Sequence, residues 1–205
     1  MPPDPPVATS GIPALDDALG GLLWGDNIIF EVEDGADTAP FYRAISATDP
    51  WSGRIAVAFS DGFAPPGFIR IDGRGREPAE LADEVMRVSR ASGAHDLVLV
   101  DDLDLAIAQW GDEGAFRFFA RTCPPLLRIG AIAYWTLGPG TGRGHLRDRV
   151  AGLTQCVLAL GGERLVVIKA EGRPPKVIGT APVSYTHLRA HETVLDLVCR
   201  LLLEK

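Results

Sequence analysis

Thr9-Ser-Gly-Ile-Pro-Ala-Leu-Asp-Asp-Ala-Leu-Gly-Gly-Leu-Leu-Trp-Gly25 leads into the apolar run Asn27-Ile-Ile-Phe-Glu-Val32, and the chain then turns through Glu33-Asp-Gly-Ala-Asp-Thr-Ala-Pro40. The apolar run reads as a buried strand. Pro40 fits the first turn of a following helix, with Asp37 or Thr38 as its cap. A strand, a loop and a helix N-terminus can seat a phosphate, because unpaired backbone N–H groups and the helix dipole converge there. This loop works against that use. It holds one glycine, and Glu31, Glu33, Asp34 and Asp37 lie in or beside it. Pro40 also removes one N–H group. Two like charges about 4 Å apart repel by roughly 4 kcal/mol at an effective dielectric near 20, so several carboxylates oppose a polyanion even when screened. The first lysine in the chain is Lys169, so none nearby can reach out to a phosphate.

Outward from this stretch, apolar runs alternate with helical patterns. Arg54–Phe59 reads as a second strand and Phe68–Ile71 as a short third. Pro78–Ala91 reads as a helix, with Leu81, Val85 and Val88 on one side. His95–Asp101 reads as a buried strand, and Glu113–Leu127 as a helix that Pro124-Pro125 interrupts or ends. Ile129–Thr136 is another buried strand, and Gln155–Leu160, Arg164–Ala170 and Lys176–Gly179 follow as late strands. The alternation predicts an α/β fold: a mainly parallel central sheet, helices on both faces, and late strands forming an antiparallel edge.

The opening stretch resembles the lead-in of the KaiC-like branch of the RecA superfamily of P-loop ATPases. That lead-in has a Ser/Thr-Gly-Ile/Leu start, a Leu-Asp pair and a Leu-Gly-Gly run before an apolar strand. In the family a glycine-rich loop ending Gly-Lys-Ser/Thr comes next; here the acidic loop stands in its place. Leu97-Val-Leu-Val-Asp101-Asp102 resembles Walker B, whose acid holds Mg²⁺ through water at the carboxyl end of a strand. The family's paired glutamates, the first a catalytic base, fall where this chain reads Phe59-Ser60-Asp61-Gly62. Asp61 is one methylene shorter, and a general base must lie within hydrogen-bond reach; it reads better as a turn acid. Arg164-Leu-Val-Val-Ile-Lys169-Ala-Glu171-Gly172 resembles the late family segment ending Lys-x-Arg-Gly, with Glu171 where the arginine would be. Lys169 itself reads as a strand-end lysine in solvent.

The resemblance covers roughly Thr9 to Gly172 and implies a RecA-like P-loop fold with lost or greatly weakened ATPase activity. Asp37, Thr38, Asp101 and Asp102 are then a vestigial nucleotide site, with no catalytic residue, no metal ligand and no cofactor. The implied role is a regulatory or scaffolding module working through a protein partner or a fused downstream domain, with a homo-oligomer as a further form of contact. Two alternatives stay open: an active KaiC-like ATPase using ATP and Mg²⁺ at a non-standard site, and a recombinase-like DNA-repair accessory protein. Outside the family, the loop reads as an ordinary acidic strand-to-helix turn of another α/β protein. For the DNA alternative, the relevant segment is Gly138-Pro-Gly-Thr-Gly-Arg-Gly144, with Arg143, His145, Arg147 and Arg149 nearby. It lacks the helix and acidic ribose ligand of a dinucleotide site and reads as a solvated loop.

Composition narrows the classes further. The net charge is −7, which lacks the field of a nucleic-acid binder. No apolar run reaches the ~18 residues of a membrane span and no signal peptide is evident, so a cytoplasmic location is expected. Cys123 and Cys156 are unclustered and read as reduced thiols. Residues 1–8 are a Pro-rich arm and residues 9–181 the domain. Pro182–Thr193 resembles the translation of a transposase sequencing adapter, and Asp196–Lys205 resembles its continuation in the same frame. Residues 182–205 are therefore expected to be a non-native tail, with the natural protein cut near Ala181. The helical spacing of Leu195, Val198, Leu201 and Leu202, and the His187/His191 pair, then carry no function.

Overall fold

Continuous apolar strands need cover on both faces, and the computed structural model supplies it with helices on either side of one sheet. It describes residues 7–33, 35–49, 51–138, 144–161, 164–173 and 183–184. In chain order the elements are β1 (Val7–Ala8), α1 (Pro13–Leu19), β2 (Leu22–Leu23), β3 (Asn27–Val32), α2 (Ala39–Ser46), β4 (Arg54–Ala58) and β5 (Ile69–Asp72). There follow α3 (Pro78–Ser92), β6 (Leu97–Asp102), α4 (Leu103–Arg128), β7 (Ile132–Leu137), α5 (Gly144–Leu153), β8 (Cys156–Gly161), β9 (Arg164–Ala170) and β10 (Val183–Ser184). The main sheet runs β10-β9-β8-β3-β7-β6-β4-β5. From β8 to β5 every neighbouring pair is parallel. β9 and β10 add antiparallel strands at one edge. The strand segments β3, β7 and β6 are neighbours in that order, at the centre of the sheet.

The two-residue period of the strands divides the core in two. Ile29, Val98, Val100, Ala133 and Trp135 point to one face, where α3, α4 and α5 cover them. Ile28, Phe30, Leu97, Leu99 and Tyr134 point to the other, under α1 and α2. Each fully buried large apolar side chain contributes about 1.5–3 kcal/mol, so the two layers together dominate the folding energy. Cys123 and Cys156 are free and buried, and burial pushes both thiols up to about 12.

Two helical expectations change. The helix expected over Glu113–Leu127 begins at Leu103, breaks at Gly111 (φ 68°, ψ 174°) and continues through both prolines to Arg128. Asp102 starts it by accepting from the Asp104 N–H at 2.8 Å. Buried Phe118, Phe119, Cys123 and Leu126 hold the proline-containing turn against the sheet. The second change is α5, where His145, Arg147 and Arg149 stand on a helix and not in a solvated loop. Residues 139–143, the Lys176–Gly179 strand and most of the 182–205 tail lie outside the described residues; within that tail Val183 and Ser184 pair with β9.

At the amino edge of the sheet, Asp96 is fully buried, and among the described residues only the Ser89 hydroxyl and Gly53 N–H approach its carboxyl, neither in good hydrogen-bond geometry. Gly53 leaves no room for a β-carbon against Asp96 and Ser92. Burial pushes the Asp96 carboxyl up to about 6, with the neighbouring Ser89 hydroxyl and Gly53 N–H opposing part of the rise. The fold therefore prefers the protonated acid. Its cost is absent below the unfolded value near 4, grows as pH rises towards 6, and is constant above that. Asp96→Asn is expected to stabilise the protein by about 1–3 kcal/mol at pH 7.5. The gain should shrink to near zero by pH 4.5. Urea melts at both pH values measure it, and an equal effect at both would show that the carboxyl does not titrate in this range.

Candidate functional site

The carboxyl ends of β3, β6 and β7 converge on a small recess. Asp37 and Thr38 reach it from the start of α2, Asp101 and Asp102 from the end of β6, and Thr136 from β7; Tyr42 and Phe63 complete its lining. All four candidate residues read from the sequence are thus in one place. The recess encloses about 170 Å³. Small-molecule pockets usually run from about 300 to 1,000 Å³, so a nucleoside triphosphate does not fit without rearrangement.

Asp101, Tyr42 and Thr136 already have work within the chain. The Asp101 Oδ2 accepts from the Phe59 N–H at 3.1 Å, the Ser60 N–H at 2.8 Å and the Ser60 hydroxyl at 2.6 Å. Its Oδ1 accepts from the Asp102 N–H at 2.9 Å. The acid that resembles Walker B therefore ties the end of β4 to the end of β6. Tyr42 crosses from α2 to the strand ends, its hydroxyl 2.5 Å from the Thr136 Oγ1 and 3.1 Å from the Val100 carbonyl oxygen. Burial raises the Tyr42 phenol well above its usual range, against the opposing Thr136 bond, so it stays neutral. Phe63 packs edge-on against it, with centroids 5.5 Å apart.

The amides at the start of α2 are spent as well. The Ala39 N–H donates to the Asp37 Oδ1 at 2.9 Å, and those of Phe41 and Tyr42 donate to the Thr38 carbonyl. Pro40 between them has no N–H. Asp37 supplies the side-chain cap; Thr38 occupies the N-cap position without one. A helix N-terminus binds anions through unpaired amides, and these are paired or missing.

The outlying candidates separate from the recess. Asp61 is exposed and pairs with Arg74, as a turn acid would. Lys169 differs from the expected solvated lysine. Its ammonium donates to the carbonyls of Ala151 at 2.8 Å and Thr154 at 2.6 Å, closing the end of α5, and pairs with Glu171 at 2.8 Å. A cation there satisfies the orphan carbonyls that end a helix. Arg149 pairs with Glu113 and lies over the Phe116 ring, and Arg147 donates to the Gly138 carbonyl at 2.7 Å. Trp24 stacks on His95 with centroids 4.0 Å apart, while Trp135 is wholly buried. Among the described residues no cluster of His, Cys, Asp and Glu could hold a metal, and no helix is long and apolar enough to cross a membrane.

The sequence reading missed Tyr42, Phe63 and Thr136, whose types carry no motif. It also missed the buried pair of Asp26 and Arg173, whose side chains are only 2% and 3% exposed. Nothing in their spacing signals the contact.

No known protein family matches the chain by sequence, and no curated protein does. Among solved structures it is similar to the KaiC-like protein PH0186 of the hyperthermophilic archaeon Pyrococcus horikoshii OT3. The match has a TM-score of 0.62 at 13% identity, covering 82% of this chain and 91% of that one. The chain shares the fold of a KaiC-like protein. At this identity the likeness carries the α/β RecA-type architecture and no activity. In this structure the recess lies at the carboxyl edge of the central strands, where open α/β sheets bind their ligands.

Proposed function

We propose that this chain is a cytoplasmic KaiC-like pseudo-ATPase domain, a regulatory or scaffolding module that acts through protein contacts. The observation that carries this reading is the start of α2. Its amides are taken by Asp37 and Thr38 or deleted by Pro40, and no lysine precedes Lys169. A phosphate arriving there would have to displace the Asp37 carboxylate or the Thr38 carbonyl to gain a bond from the Ala39, Phe41 or Tyr42 amide. Asp101, which would be needed for Mg²⁺, is engaged by four donors instead. Lost contacts to a charged group remove about 1.5–3 kcal/mol each. Several such losses weaken binding by orders of magnitude, since about 1.4 kcal/mol is tenfold.

Isothermal titration calorimetry of the chain with ATP and Mg²⁺ is expected to give no saturable heat up to millimolar nucleotide. A micromolar dissociation constant that Asp37→Ala strengthens or Asp101→Asn abolishes would refute the pseudo-ATPase reading. The rival reading, an ATPase with an unusual phosphate seat, draws on one observation: Thr38, Asp101, Asp102 and Thr136 still share the recess. The DNA-repair reading finds less support, because Arg147 and Arg149 are bonded within the chain.

A further inference from the structure

A scaffolding module needs a surface for its partner, and the groove between α3 and α4 gathers arginines on an acidic chain. It encloses about 550 Å³ and is lined by Asp83, Met86, Arg87, Arg90, Arg121 and Pro125. Asp83, Arg87 and Arg90 recur at helical spacing on one face of α3, as Arg121 and Pro125 do on α4. The floor is apolar. Met86 is buried beneath the arginines, and an unbranched thioether adapts its shape to an incoming side chain. Arg121 pairs with Asp83 at 2.8 Å and Arg87 with Glu84 at 2.7 Å, while Arg90 is exposed and has no ion-pair partner among the described residues. The two ion pairs are solvent-exposed and weak, so their guanidinium groups can exchange partners at little cost.

The prolines add a second feature. Pro124 and Pro125 lie inside α4 and carry no N–H, so the carbonyls of Ala120 and Arg121 lack the donors that a regular helix would provide. Arg121 and Pro125 both line the groove. The surface therefore offers guanidinium donors over an apolar floor.

We propose that this groove docks an acidic peptide segment of a partner protein, its carboxylates on Arg87, Arg90 and Arg121 and an apolar side chain between Met86 and Pro125. This rests on the scaffolding reading above. Charge complementarity selects the occupant: the chain carries a net charge of −7, yet three arginines meet here with Asp83 as the one lining acid. A nucleic acid suits the groove less well, since its sugar-phosphate backbone makes no use of the apolar seat between Met86 and Pro125.

The test is fluorescence anisotropy of the full chain with a short labelled peptide of Glu-Glu-Leu repeats. Controls are a Lys-Lys-Leu peptide and a single-stranded oligonucleotide of matched charge. Saturable binding of the acidic peptide is expected, weakened by salt and at least about tenfold by Arg90→Glu with Arg121→Glu. Arg90→Gln breaks no ion pair and should still weaken binding several-fold; Arg43→Glu, on α2 across the sheet from the groove, should not. Circular dichroism establishes that each variant is folded. Absence of saturable binding, equal binding by the Arg90 variants, or tighter binding of the oligonucleotide would each overturn the proposal. Adding ATP and Mg²⁺ to the same samples separates the two readings. Nucleotide binding would refute the pseudo-ATPase domain and leave the groove standing; a silent groove without nucleotide binding would refute the groove alone.

Discussion

Arg173→Ala is expected to cost about 3–5 kcal/mol of folding stability, the usual penalty for stranding one charge of a buried pair. The guanidinium lies 2.6 Å from the Asp26 Oδ2 and is almost wholly enclosed. It also donates to the Leu19 carbonyl at 2.8 Å and the Gly21 carbonyl at 2.9 Å. The Cys156 sulfur lies 3.2 Å away. Asp26 in turn accepts from the Leu23 N–H at 2.8 Å. One arginine beyond β9 thus closes the turn between α1 and β2, far away in sequence. Asp26→Ala should cost a similar amount. The double variant should lose much less than the sum, because neither charge is then left alone. Urea melts of the two single variants and the double variant measure the coupling. Losses under about 1 kcal/mol for either single change would mean that water reaches the pair.

The second large effect is expected at Asp101. Asp101→Ala is expected to lower stability, because the carboxylate joins two strand ends. Removing the carboxylate leaves the Phe59, Ser60 and Asp102 amides and the Ser60 hydroxyl without their acceptor. Unsatisfied buried donors cost about 1–3 kcal/mol each, and partial solvation of Ser60 reduces the sum, so a loss of about 2–4 kcal/mol is expected. Asp101→Asn keeps one oxygen for Ser60 and Phe59 and should lose about half as much. The loss should be the same with and without ATP and Mg²⁺, and the wild-type melting temperature should not respond to either. A wild-type melting temperature that rises with ATP and Mg²⁺, but not in Asp101→Asn, would instead identify a metal-holding acid. Thermal and urea denaturation with and without nucleotide decides between these outcomes.

The sequence by itself determined the parts of this protein that depend on neighbours along the chain. Apolar runs of six and seven residues, such as Asn27–Val32 and Arg164–Ala170, are strands because period and β-propensity act locally, and β3 and β9 have those bounds. Pro40 and Asp37 marked the start of α2 for the same reason, since a cap bonds within two or three residues of itself. The missing lysine and the surplus acids are matters of composition.

Tertiary structure decided where the polar groups spend their bonds. Ser60 and Asp101 are 41 residues apart, Tyr42 and Thr136 94, and Asp26 and Arg173 147. No local period encodes such partners, because sheet order and strand register bring them together. The same holds for Lys169, whose place at the end of a strand reads as solvated until α5 is seen to end beside it. The helical break at Gly111 and the passage of α4 through two prolines follow the same rule. Burial of Phe118, Phe119 and Leu126 against the sheet outweighs the local preference of proline to end a helix, and only the packed core provides that burial.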